Sequence, residues 1–490
     1  MSDHSNLSDI KLTVSQQKVL DQLNSFITDP SCRVFILKGY AGTGKTTLMR
    51  FLIQLLLEKE KDFILLAPTG RAAKVLSNAT GQVAKTIHSL IYSFSNLNKD
   101  LSDAKEQELK ADSTGQLYLN FEPVVLDEKN NPPTVYIIDE SSMVADMEEK
   151  NVTQAKFGSG KLLSELLKYD HRPESKFIFV GDPCQLPPVK ETASPALMPD
   201  YFQKHFDLMA LESSLTEIMR QKGDNDLIRA SLLIRKLRSS APIDEQAYHF
   251  QTWARFPLRY CRNAQLHKDL DDMIHSYLEN IKSNGYNDAI FISPSNKNCH
   301  KISRKIRELL GFNSNVVQKG DLLMVVQNNL PTGLMNGDMV EVTHVEPHIM
   351  NVAGLAFTGV RVRELFTNEE KDVLLLISTI SSDTPNLNSI QQTNLFIDFA
   401  IRMKKLGITQ KKNEAEFYSI MQSDPYLNAL RCSYGYAVTC HKAQGGEWNN
   451  VYVDFGMIAC NPTQEKYQWV YTAITRAKET LHILNKPYIQ

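Results

Sequence analysis

Val34-Phe-Ile-Leu37-Lys-Gly39-Tyr40-Ala41-Gly42-Thr43-Gly44-Lys45-Thr46-Thr47, running into the apolar periodic segment Leu48 to Leu57, decides the fold. A short β-rich apolar run leads into G-x-x-x-x-G-K-[ST] and then into helical periodicity, the order strand, loop, helix. Glycines let such a loop curl until successive N–H groups and the helix N-terminus face a phosphate chain. Lys45 is then placed to reach the β and γ phosphates, and the Thr46 hydroxyl to ligate Mg²⁺. Gly39, Tyr40, Ala41, Gly42, Thr43, Gly44, Lys45, Thr46 and Thr47 are therefore the candidate nucleotide-binding residues.

Three more apolar runs, Phe63 to Ala67, Val135 to Ile138 and Phe177 to Val180, read as buried parallel strands of the same α/β sheet. Each ends in a polar cluster, where open α/β sheets bind their ligands. Asp139 and Glu140 follow Val135-Tyr-Ile-Ile138 directly. Asp139 is expected to hold Mg²⁺, and Glu140 to act as the base on the attacking water. Gly181-Asp-Pro-Cys-Gln185 brings an amide, Gln185, to a position suited to a γ-phosphate or its water.

The 490 residues suggest about three domains, and 42% hydrophobic with 22% charged residues exclude collagen-like and wholly disordered chains. A net charge of -2 makes any polyanion site local. No apolar stretch reaches the roughly 20 residues of a membrane span. The polar start MSDHSNLSDI lacks the pattern of a secretion signal, and seven scattered Cys with no CxxC pair suggest neither disulfides nor zinc. The expected compartment is the cytoplasm, with no membrane partner.

Taken together the motifs resemble the superfamily 1B DNA helicases of the RecD-like and Dda-like group, which are P-loop NTPases. Leu12-Thr-Val-Ser-Gln16 is similar to their glutamine motif, Ala67-Pro68-Thr69-Gly-Arg-Ala-Ala-Lys to motif Ia and Thr86-Ile-His88-Ser to motif Ib. Leu215-Thr-Glu-Ile-Met-Arg220-Gln is similar to motif IV, Thr439-Cys-His441-Lys442-Ala-Gln444-Gly-Gly-Glu447 to motif V, and Tyr471-Thr-Ala-Ile-Thr-Arg476-Ala to motif VI. All fall in the family's order. The resemblance implies that Gln16 reads adenine and Glu447 the ribose. It further implies that Arg220 and Arg476 serve as arginine fingers beside Lys45, Glu140 and Gln185, and that Pro68, Thr69, His88, Thr439, His441 and Lys442 line a single-stranded DNA groove.

The same resemblance implies an α/β fold of two RecA-like domains with ATP and Mg²⁺ in the cleft between them. Residues 1–215 are assigned to the first, with a pin or hairpin insertion at about 91–131 for which Tyr118 to Val125 is a candidate. Residues 216–317 and 425–490 are assigned to the second, its strands read at Ala289 to Ser293, Tyr436 to Thr439, Val451 to Asp454 and Leu481 to Leu484. Residues 318–424 hold short strands between Gly, Asn and Pro turns, a small β-barrel that the resemblance makes SH3-like, followed by a charged helical stretch. The short lead before Val34 is expected to leave no room for the N-terminal helical domain of longer RecD-like members. Lys297, Lys301, Arg304 and Lys305 recur at helical spacing as a basic face, and Arg307 falls at the arginine position of motif IVa.

The implied activity is ATP-dependent translocation on single-stranded DNA, 5′ to 3′, with separation of duplex at single-strand/double-strand junctions, by a chain compatible with a monomer. The competing reading is an ATP-driven switch, or a nucleoprotein-remodelling translocase, acting through a partner or on RNA. DNA-stimulated hydrolysis separates the two.

Overall fold

In the computed structural model the described residues are 10–98, 101, 118–148, 155–217, 226–312, 316–329, 331–380, 382 and 386–490. The first sheet is wholly parallel, in the order Ala84–Thr86, Phe63–Ala67, Val135–Ile138, Lys176–Gly181, Val34–Gly39, Ala210–Leu215. Its strands are buried on both faces, and the strand alternation divides them cleanly. Phe35, Leu37, Val135, Ile137, Ile178 and Val180 join one core with the Val14–Thr28 and Lys45–Glu58 helices. Val34, Ile36, Tyr136, Ile138, Phe177 and Phe179 join the other, with the Leu162–Tyr169 helix.

A second parallel sheet runs Ala264–His267, Ala477–Leu484, Trp448–Val453, Ala289–Ser293, Ala437–Thr439. Ile290, Ile292, Val451 and Val453 face the Asp226–Ser240 and Gln464–Ile474 helices, while Ala289, Phe291 and Tyr452 face the Leu270–Asn284 helix. The chain is thus two RecA-like α/β units, as the motif order implies.

An antiparallel sheet leaves and re-enters the second unit: Glu370–Leu376, Leu355–Glu364, Met339–Val352, Leu322–Val325, Cys432–Tyr434. Its last strand corrects the expected boundary at residue 424, because Cys432–Tyr434 pairs with Leu322–Val325 before the chain returns to the parallel sheet. Three residues are too few to show a periodicity.

The insertion near residues 91–131 also differs from expectation. Tyr118 to Val125 is not a hairpin in itself; Leu119–Pro123 pairs antiparallel with Tyr92–Leu97, and a third strand, Ala155–Phe157, comes from beyond Glu140. Most of the segment joining the first two strands lies outside the described residues. This small sheet packs on the helices Ser389–Lys405 and Glu414–Ser423 through Leu97, Leu101, Phe399 and Phe417, with the Leu97 amide on the Tyr418 hydroxyl.

The basic face of the Asn296–Leu309 helix is ordinary solvated surface, with Arg304 beside Glu308 and Lys305 beside Asp271. Arg307 points the other way. It is 1% exposed, forms a bidentate pair with Asp321 at 2.8 and 2.9 Å, and stacks over Tyr434 at 4.1 Å.

Candidate functional site

The phosphate loop leaves the sheet at Gly39, whose strand lies between Lys176–Gly181 and Ala210–Leu215. A Cβ on Gly39 would stand 2.7 Å from the Lys45 Cγ and 2.9 Å from the Thr43 Oγ1, so no other residue fits there. Gly42 and Gly44 take φ of 77° and 81°, the left-handed turn that glycine adopts without steric cost. Lys45 Nζ spans the loop, donating to the Gly39 carbonyl at 2.8 Å and the Tyr40 carbonyl at 3.2 Å. Gly44 caps the Lys45–Glu58 helix without a side-chain bond, which leaves the helix N-terminus open to an anion.

Asp139 and Glu140 stand at the end of Val135–Ile138, two strands from Gly39. Burial, then the neighbouring Glu140, raises the Asp139 carboxyl above its ordinary range, with Lys45 opposing. Desolvated neighbouring carboxylates of this kind are stabilised by a cation, and a hard divalent ion on Thr46 and Asp139 suits the donor set. Glu140 itself is held at φ 50°, a left-handed conformation that costs a non-glycine residue about 1–3 kcal/mol and clusters at active sites.

Across the cleft the second unit grips the loop after Lys176–Gly181. Gln468 Nε2 donates to the Gln185 carbonyl, Gln444 Nε2 to the Leu186 carbonyl, and the Leu186 amide to Thr472 Oγ1, at 3.1, 3.0 and 3.0 Å. The Tyr471 hydroxyl donates to Asp182 at 2.7 Å and accepts from the Ala41 amide at 3.1 Å, tying phosphate loop, Asp182 and the Gln464–Ile474 helix into one chain of bonds. Gln185 is buried and its Oε1 has no partner, as suits an acceptor reserved for a ligand or its water.

Arg476 is 4% exposed and bonded within its own unit, to the carbonyls of Thr472 and Gly446 and to Thr475 Oγ1. Arg220 lies outside the described residues. The guanidinium that the structure brings onto the phosphate loop is Arg235, 3.1 Å from the centre of the Tyr40 ring, and Arg238 one turn further on contacts Cys184 Sγ at 3.6 Å. Sequence reasoning missed both. Their signal was a cationic stripe on Asp226–Ser240, indistinguishable without the fold from a solvated face.

Gln16 is buried, with its Oε1 accepting from the Thr13 amide in a capping box and its Nε2 donating to the Thr43 carbonyl at 3.2 Å. Glu447 is exposed on the turn before Trp448–Val453.

Pro68, Thr69 and His88 cluster because their strands pair in register, Ala67 against Thr86. Thr69 caps the Gly70–Thr80 helix through the Ala72 amide. His88 packs against Tyr92 and Phe157, and burial pushes its imidazole down to about 4, so it is neutral at physiological pH. Thr439 and Lys442 face a small cavity of about 30 Å³ together with Asn296 and Ser433. Burial lowers both Lys442 and His441, although no lining contact places His441 in that cavity.

A seam that no motif announced joins the Gly70–Thr80 helix to the antiparallel sheet. Lys74 Nζ sits 2.6 Å from Asp338 and 2.5 Å from Glu364, each 3% exposed, and Arg71 stacks over Trp448 at 4.4 Å.

A glycine-rich phosphate loop, a strand-end carboxylate pair and a second parallel-sheet unit clamped onto the first define a two-domain P-loop NTPase. Residues 11–251 match the model described as AAA domain, and residues 434–484 the UvrD-like helicase C-terminal domain. An uncharacterized protein of Acanthamoeba polyphaga mimivirus is 25% identical over 95% of this chain and 98% of its own length. The ATP-dependent RecD2 DNA helicase of Deinococcus radiodurans is 24% identical over 96% of this chain, which spans 48% of that protein. A solved structure of Pif1 helicase from Bacteroides in complex with ADP-AlF3 and ssDNA aligns with a TM-score of 0.47 at 18% identity, covering 98% of this chain and 94% of that one. The two matched models thus place an AAA domain ahead of a UvrD-like helicase C-terminal domain in one chain.

Proposed function

We propose that this protein is an ATP-dependent DNA helicase that moves 5′ to 3′ along single-stranded DNA and separates duplex at junctions. The observation that carries the reading is the bond chain Ala41, Tyr471, Asp182, which couples the phosphate loop of one RecA-like unit to a helix of the other. A nucleotide-dependent change at the loop therefore has a direct mechanical route to the second unit. The relative named as an ATP-dependent DNA helicase supports the same reading.

In this reading Lys45 and the Gly39 to Thr47 loop bind the triphosphate, Gln16 and Glu447 its adenine and ribose ends, and Glu140 takes the proton of the attacking water, which Gln185 orients. Thr46 and Asp139 would hold Mg²⁺, which when bound neutralises charge on the phosphate oxygens. Gln16 keeps its second Nε2 hydrogen and second Oε1 lone pair for adenine while bracing Thr43. Arg476 acts as a finger after leaving the Thr472 and Gly446 carbonyls, and Arg220 as its counterpart. Pro68, Thr69 and His88 grip the strand from one unit, and Thr439, His441 and Lys442 from the other. The three-stranded insertion serves as the pin and the antiparallel sheet as an SH3-like barrel, with domain limits near 1–215, 216–317 together with 435–490, and 318–434. A monomer suffices for this cycle, and the cytoplasm suits it.

The test is ATP hydrolysis with and without single-stranded DNA, beside unwinding of duplexes with a 5′ or a 3′ tail. Stimulated hydrolysis with opening from the 5′ tail alone is expected. Hydrolysis indifferent to DNA with neither tail opened overturns it in favour of the ATP-driven switch.

A further inference from the structure

Between the three-stranded insertion and the Ser389–Lys405 helix lies a small cavity of about 90 Å³ that opens to solvent. Phe94 and Phe121, ring centres 5.7 Å apart, and Phe396 supply its aromatic lining. Its polar lining is unusual. Arg431 is 3% exposed, yet its guanidinium makes one bond, Nη2 to Gln392 Oε1 at 3.0 Å, and Nη1 has no partner. Among the described residues no carboxylate pairs with it. Burial alone lowers it, to about 10. Gln327 Oε1, also in the lining, is a buried acceptor without a donor.

A buried guanidinium without an anion is costly; buried Arg307 and Arg172 are each paired with an aspartate, and buried Arg476 spends its donors on two carbonyls and a hydroxyl. Arg431 and Gln327 instead present one donor and one acceptor to an aromatic-walled space. A flat heterocycle with a carbonyl beside an N–H matches that pair, which is the edge pattern of a nucleobase. Position agrees. Gln327 and Arg431 adjoin the paired strands Leu322–Val325 and Cys432–Tyr434, whose Met324 and Ser433 line the cavity of Thr439 and Lys442.

We infer that this cavity receives one base of the bound single strand, its face against the phenylalanines and its edge on Arg431 and Gln327. The inference rests on the DNA-binding reading above.

The experiment is an abasic scan: a fluorescent single-stranded oligonucleotide is titrated with the protein while one abasic site is moved along it. In the parent protein one register is expected to bind about ten-fold more weakly than its neighbours. In Arg431→Met and in the gentler Gln327→Leu, each checked by its melting curve, that register is expected to lose its special sensitivity. A scan unchanged in both folded variants overturns the inference while leaving DNA binding intact. Protection by free dGMP or dTMP with no sensitive register overturns the strand as the source of the base. A parent protein that binds no strand overturns the functional reading and this one with it.

Discussion

The phosphate loop and the seam around Lys74 both hold a lysine ammonium on oxygen acceptors, and they do so on opposite length scales. Lys45 bonds carbonyls six and five residues back in its own loop, whereas Lys74 bonds carboxylates 264 and 290 residues away. The first lysine rests on neutral acceptors that a phosphate outbids, so its bonds are provisional. The second is clasped by two buried charges and holds its seam shut. A motor needs both kinds: a cation free to change partners and a joint that transmits the change.

The largest effect that tests this contrast is Lys45→Ala. Loss of a charged phosphate contact that strengthens toward the transition state should lower ATP turnover by about 10² to 10³ or more, with the melting temperature held, because the loop carbonyls return to water. Substantial turnover in the variant would mean that Lys45 is a structural bridge like Lys74.

Next comes Arg307, the arginine buried on the inner side of the same helix as the basic face. Asp321→Asn strands the Arg307 charge and should destabilise the second unit by about 3–5 kcal/mol in chemical denaturation. Strand affinity of the protein that remains folded should not change. A selective loss of DNA binding without loss of stability would mean that Arg307 contacts the strand rather than serving as a structural ion pair.

Lys74→Met is a smaller and more informative break. The ammonium is 24% exposed while its two carboxylates are 3% exposed, so the variant leaves like charges crowded together at a cost of about 1–3 kcal/mol. Because the seam links the motif Ia helix to the antiparallel sheet, unwinding should fall more than DNA-stimulated hydrolysis does. Equal loss of both would reduce the seam to a stabilising contact.

What the sequence made legible follows the same length scales. Val34 to Thr47 could be read because strand, loop and helix N-terminus are contiguous, and so could Asp139 and Glu140, which directly follow a strand. The central strands of the two parallel sheets showed as apolar runs because burial on both faces leaves no alternation to misread, whereas Ala84–Thr86, Ala210–Leu215 and Ala264–His267 at the sheet edges are partly exposed and carry no such run. Tyr471, Arg235 and Lys74 were illegible, since their partners at Ala41, Tyr40 and Asp338 become neighbours only when the units dock. For Arg307 the motif position named no partner, and only packing shows that this arginine turns inward onto Asp321. Cys432–Tyr434 was missed because its evidence is a pairing partner, not a pattern.

The smallest predicted effect separates two ways of gripping a strand. Burial pushes His88 down to about 4, against about 6.5 for an imidazole in the unfolded chain. Above pH 6.5 both states are neutral and the group contributes no pH dependence. As pH falls below 6.5 the unfolded chain takes the proton first, so stability declines until about pH 4 and then levels off. With partial exposure allowed for, His88 should account for about 1 kcal/mol of the stability lost between pH 7 and 5, and His88→Asn should flatten the profile by that amount. The remaining slope includes His482, which burial lowers to about 3. A neutral His88 releases no counterion on binding a strand, so the same variant should leave the salt dependence of DNA affinity unchanged, whereas Lys442→Met should reduce its slope by about 0.7. An altered salt slope in His88→Asn would mean that the imidazole is protonated against DNA, and that the aromatic packing which keeps it neutral in the free protein opens when the strand arrives.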